Sequence, residues 1–128
     1  MRVIERNTIK AVQALYTGKR TNPYWKQANM TATRSIDMAT REHVITVYLH
    51  GNAIIKLDCD TGVIQASLAG WDTVTTRSRL NAIIWGLDSH SYTRFWRKRG
   101  VTRTHIDSED IDADHDTWYT VGKINQGV

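Results

Sequence analysis

The residues best suited to chemistry lie between Tyr92 and His105, where Arg94, Arg97, Lys98, Arg99 and Arg103 crowd around Tyr92, Phe95 and Trp96. Guanidinium groups neutralise phosphates through paired hydrogen bonds, and an aromatic face stacks on a base. The mixture therefore suits single-stranded or irregular nucleic acid, and the expected contact set is Arg94, Trp96, Arg97, Lys98, Arg99 and Arg103. The plain alternative is a solvated cationic loop whose aromatic residues anchor it to the core. Lys19, Arg20, Trp25 and Lys26 form a second, weaker cluster of the same kind.

No grouping of catalytic type accompanies them, and the sequence nominates no catalytic residue, no cofactor and no metal. Cys59 falls at the core-facing end of an expected strand, where a thiol is usually inert packing. His43, His50, His90, His105 and His115 lack His-x-x-x-His spacing, and a lone cysteine allows no Cys-x-x-Cys pair. A zinc site or a metal-assisted hydrolase would need ligands assembled by the fold. The run Asp110, Asp112, Asp114, Asp116 has the alternation of a calcium loop, but His115 stands where the sixth position needs glycine and Val121 where the twelfth needs glutamate. A high-affinity EF-hand is excluded. Phosphate loops, nucleophile elbows and dinucleotide fingerprints are missing too.

A chain of 128 residues, 41% hydrophobic and 23% charged, is expected to fold as one domain over residues 1–128 without disulfides or structural metal. The opening Met1-Arg2-Val3-Ile4-Glu5-Arg6 does not read as a signal peptide and no apolar run approaches the roughly 18 residues of a membrane span, so a cytoplasmic, membrane-free setting is expected. The net charge of +4 hides a division: residues 1–106 hold 16 Lys/Arg against 7 Asp/Glu, and residues 107–128 hold 1 against 6. A basic body that meets an anion and an acidic segment that competes for the same surface would produce this pattern, as would mutual neutralisation within the fold. Residues 107–116 are expected to be an acidic, solvated loop.

The expected class is α+β, an antiparallel β-meander packed against one amphipathic helix, with an additional N-terminal helix. The first helix is placed at Thr8 to Tyr16, capped by Asn7 or Thr8 and ended by Gly18, with 19–26 as a loop around Pro23. Four strands follow near 28–36, 43–50, 53–59 and 62–69. Alternation sets Ile45, Val47 and Leu49 on one face with Ala53, Ile55 and Leu57, so Leu49 should oppose Ala53 across a loop of His50-Gly51-Asn52. Ile64, Ala66 and Leu68 should then fall opposite Leu57, Ile55 and Ala53. Leu80, Ile83, Ile84 and Leu87 recur at helical spacing and supply the cover, with Thr75 or Thr76 as cap. The other sheet face is mixed, either half-solvated or partly covered by the first helix. Residues 91–105 show neither a clean helical nor a clean strand period, and 117–121 is a candidate closing strand.

The stretch Leu49-His50-Gly51-Asn52, then Ile54, then Gly70-Trp71-x-Thr73-x-Thr75-Thr76-x-x-Arg79-Leu80-Asn81-Ala82 resembles a family of short bacteriophage proteins classed as a domain of unknown function. The likeness spans about residues 43–87. It implies phage origin and a host-cytoplasm setting, and it transfers no catalytic residue. On a structural reading Trp71 plugs the core, Thr75 or Thr76 caps the helix, and Arg79 and Asn81 satisfy loop carbonyls. On a functional reading Thr75, Thr76, Arg77 and Arg79 make a small anion site at the helix start. Two partners suit such a chain: nucleic acid on the basic-aromatic surface, or a host protein, such as a defence nuclease or polymerase, inhibited through the aromatic or acidic surface.

Overall fold

The computed structural model describes residues 1–125. Its elements are α1 (Val3–Thr17), β1 (Tyr24–Gln27), β2 (Met30–Ile36), β3 (His43–Leu49), β4 (Asn52–Asp58), β5 (Val63–Ala66), α2 (Val74–Leu87), β6 (Phe95–Lys98), β7 (Val101–Ile106), β8 (Glu109–Asp112) and β9 (Tyr119–Lys123). They make an antiparallel sheet in the order β1-β2-β3-β4-β5-β9 and a second one in the order β6-β7-β8. The α+β class, the meander and the N-terminal helix are as the sequence implied.

Helix α1 begins five residues before the expected Thr8. Glu5 accepts the Arg2 backbone N–H at 3.0 Å and satisfies an orphan donor of the first turn. Thr8, one of the two expected caps, lies inside the helix, where its hydroxyl donates to the Ile4 carbonyl at 2.7 Å. Threonine makes that backbone bond inside a helix as readily as it caps one, so its presence does not mark a start. Gly18 ends the helix at φ 81°, and Arg34 reaches across from β2 to donate to the Leu15 carbonyl at 2.6 Å. The expected 19–26 loop is interrupted by β1, because Tyr24–Gln27 pairs with Met30–Thr33 as an edge strand.

In the β3–β4 hairpin Val47 pairs with Ile55 and Ile45 with Leu57, the register that alternation requires, but Leu49 pairs with Asn52 and Tyr48 with Ala53. The expected Leu49–Ala53 opposition is therefore wrong at the turn. His50 and Gly51 form a tight two-residue turn, both with positive φ (50° and 80°), and an extra residue at Ile54 bulges β4 and restores the parity. The bulge also buries Ile54, which strict alternation had placed on the outer face. The next hairpin agrees with expectation at Leu57–Ile64 and Ile55–Ala66.

The core lies between the inner face of the six-stranded sheet and both helices. Ile45, Val47, Ile55, Leu57, Ile64 and Ala66 are fully buried with Leu80, Ile83, Ile84 and Leu87 of α2. Helix α1 adds Ile9, Val12 and Leu15 to this same core and crosses α2 at Gly86, where a Cβ would lie 2.2 Å from Ile9 Cδ1. A side chain there would force Ile9 to shift within the core. The outer face is half-solvated: Val44, Lys56, Asp58 and Gln65 are partly buried, and Lys56 Nζ sits 4.3 Å over the Trp118 ring.

Asn81 joins the small sheet to α2. Its amide accepts from Phe95 N–H at 2.7 Å and donates to the Phe95 carbonyl at 2.8 Å, standing in for a neighbouring strand on the β6 edge. Phe95 is buried against Tyr119 of β9, ring centroids 6.3 Å apart. Residues 109–112 of the expected acidic loop are thus strand β8, exposed but paired with β7.

Candidate functional site

Strand alternation sorts the basic-aromatic segment into two faces. Phe95, Thr102 and Thr104 point inward and are buried, so Phe95 is unavailable for stacking on a ligand. Trp96 and Lys98 point outward, with Trp96 directly opposite Arg103. The hairpin tip is Arg99-Gly100, a two-residue turn at φ 52° and 79°. Arg94, Lys98 and Arg99 are exposed and have no ion pair among the described residues, and Arg97, half exposed, comes only within 3.9 Å of Asp72.

Arg103 differs from its neighbours. It bridges to Asp112 at 3.0 Å and donates to the Asp110 carbonyl at 3.1 Å, while His105 meets Asp110 at 2.7 Å. The acidic segment therefore lies beside the far edge of β7 and neutralises that side of the small sheet. The β6 side and the tip keep their positive charge.

Below the hairpin, Asp72 gathers four partners: Arg77 at 2.5 Å, the Thr102 hydroxyl at 2.5 Å, His115 at 3.5 Å and Arg97 at 3.9 Å. Burial alone would raise its pKa, but the hydrogen bonds from Thr102 and Arg77 and the positive charge of Arg77 outweigh it, and the carboxyl lies below its usual 3.8. Nothing in the sequence marks Asp72 as this junction, since its partners come from α2, β6, β7 and the β8–β9 loop.

These contacts dissolve the expected anion site. Arg77 is held by Asp72, and Arg79 is buried 3.0 Å from Glu5 of α1 rather than at a loop carbonyl. The cap is Thr73, whose hydroxyl accepts the Thr76 N–H at 3.1 Å and lies 2.9 Å from the Thr76 hydroxyl. Thr75, Thr76, Arg77 and Arg79 consequently do not converge. Asn81 satisfies a backbone carbonyl too, but that of Phe95 in strand β6 rather than one in a loop.

On the other side of the 70–73 loop lies a cleft of about 460 Å³ between the β3–β4 turn and the start of α2. Leu49, Ile54 and Leu68 are buried in its wall, and His50, Asn52, Thr73 and Thr75 bring polar groups to it. Trp71 lines it at 59% exposure, so the indole is not the core plug that the sequence suggested. The loop is fixed by Trp71 N–H donating to Leu68 O at 2.9 Å and Gly70 N–H to His115 O at 2.7 Å, with Gly70 at φ 80°. The cleft walls are drawn largely from the 49–54 and 70–76 segments that carried the resemblance, a convergence invisible in one dimension.

Among the described residues no three His, Cys, Asp or Glu side chains are grouped to hold a metal ion. Cys59 is half-buried, and burial is the main cause that pushes its thiol pKa up. Among the described residues no helix is long and apolar enough to cross a membrane.

The family model described as Kyanoviridae Gp96 protein matches residues 1–123. No curated protein and no solved structure matches the chain.

Proposed function

Since the chain belongs to the Kyanoviridae Gp96 protein family of phage proteins, we propose that it is a non-enzymatic phage accessory protein that binds nucleic acid through the β6–β7 hairpin. The observation that carries this reading is the clustering of unpaired cations at one hairpin. Arg77, Arg79 and Arg103 each have a close carboxylate, while Arg94, Lys98 and Arg99 are exposed with none among the described residues. Cations that a fold leaves unpaired on one rigid ribbon suit a polyanion, and Trp96 beside them adds an aromatic surface. The Asp72 and Asn81 contacts fix the ribbon to the body, so little ordering is needed on binding.

The test is a titration of single- and double-stranded DNA and RNA at several salt concentrations. Replacing Arg97, Lys98 and Arg99 together by alanine should flatten the log K against log salt slope for single strands by about 2, at roughly 0.7 per lost phosphate contact. A wild type without salt-sensitive binding overturns the reading. One observation favours a host protein instead: Asp107, Glu109, Asp110 and Asp112 are all exposed along strand β8 and its preceding turn. Capture of a partner from nuclease-treated host lysate, abolished by neutralising these carboxylates, would support that partner.

A further inference from the structure

The cleft beside Trp71 is not lined by the hairpin, but the 70–73 loop touches both. Trp71 lines the cleft, and the next residue, Asp72, accepts the Thr102 hydroxyl of the hairpin and lies 3.9 Å from Arg97. The cleft has the size of small-molecule sites, which run from about 300 to 1,000 Å³. None of its lining residues is Asp, Glu, Lys or Arg. What it offers is a flat indole, a buried aliphatic wall, and the imidazole, amide and hydroxyl groups of His50, Asn52 and Thr75. A neutral, planar group with hydrogen-bonding edges fits such a lining. Asp116 Oδ1 lies beside Gly70 at the edge of the same loop, and across Asp72 stands Arg97, followed along β6 to the hairpin tip by Lys98 and Arg99.

A ligand that is neutral and flat at one point and anionic along the rest of its length matches both halves of this surface. We propose that the cleft takes one unpaired base of a single-stranded nucleic acid, stacked on Trp71, while the adjoining phosphates run toward Arg97, Lys98 and Arg99. This rests on the nucleic-acid reading above and adds to it that single strands are preferred, because a base inside a duplex cannot reach the indole. An exposed tryptophan beside a helix start then has a physical role: stacking tolerates any base, since each has a π-face.

The experiment compares a single-stranded oligonucleotide of about 8 nucleotides, within the usual site sizes, with a fully abasic phosphodiester strand of equal length. Trp71→Ala should weaken binding of the base-bearing strand by roughly 5- to 150-fold, the equivalent of losing one base–aromatic stack, with the salt slope unchanged. It should leave the abasic strand alone, and Trp71→Phe should retain most of the affinity. Because the side chain is exposed, folding of each variant can be verified by circular dichroism. The cleft assignment is overturned if Trp71→Ala binds the base-bearing strand as the wild type does, or weakens both strands equally. In those cases a wild-type salt slope that the Arg97/Lys98/Arg99 variant still flattens keeps the hairpin reading intact. Absence of salt-sensitive wild-type binding overturns both.

Discussion

The Glu5–Arg79 pair that ties α1 to α2 gives the sharpest test of the packing. The two side chains are 3% and 7% exposed and meet at 3.0 Å, and Arg79 Nε has no hydrogen-bond partner among the described residues. Glu5 Oε1 also accepts the Arg2 N–H at 3.0 Å, so it closes the first turn of α1 as well. Removing one partner strands a charge in the core, and Glu5→Leu or Arg79→Met should each destabilise the protein by about 3–5 kcal/mol. The double variant removes both charges at once. Its cost should shrink to about 1 kcal/mol, roughly that of the lost cap, because an apolar pair of similar volume fills the site without desolvated charge. Urea unfolding followed by circular dichroism reads these differences as shifts in midpoint at constant slope. Two single variants that each lose under about 1 kcal/mol, or a double variant as poor as their sum, would refute the argument.

Other outcomes follow from the same contacts. Ile55→Ala or Ile84→Ala, both at fully buried positions, should cost about 2–5 kcal/mol in the same unfolding assay, and a loss under about 1 kcal/mol would mean that the core face is misassigned. The lowered pKa of Asp72 means that its contribution is fully present above the ordinary value of 3.8 and is lost as pH falls through the lower folded value. The stability gap between wild type and Asp72→Asn should therefore be constant near neutrality and close below pH 3.8, which unfolding curves at neutral and acid pH would detect. Asp110→Asn with Asp112→Asn frees Arg103 and His105, and should strengthen single-strand binding at low salt by an amount that fades as salt is added. An unchanged affinity would place Arg103 outside the nucleic-acid path.

What the sequence determined by itself is what period and local chemistry encode. The apolar i, i+3, i+4, i+7 stripe of Leu80, Ile83, Ile84 and Leu87 specified the buried face of α2, and period-2 alternation specified the pairs Ile45–Leu57, Val47–Ile55 and Leu57–Ile64. Gly18 marked the end of α1 because positive φ is cheap only there. Tertiary structure decided everything that depends on which distant groups meet. The bulge at Ile54 arises because a two-residue turn closes the hairpin more tightly than the alternation alone implies, and Thr73 rather than Thr75 or Thr76 caps α2 because the path of the preceding loop sets where the helix can start. Nothing local shows that Arg77, Arg79 and Arg103 are matched by Asp72, Glu5 and Asp112, while Arg94, Lys98 and Arg99 stay exposed. Trp71 read as core because indoles usually are buried, and only the loop path, set by the Gly70 and Trp71 backbone bonds, turns it to the surface of the cleft. Charge and aromaticity are visible residue by residue, but whether a charge is neutralised or a ring is accessible is a property of its neighbours in space.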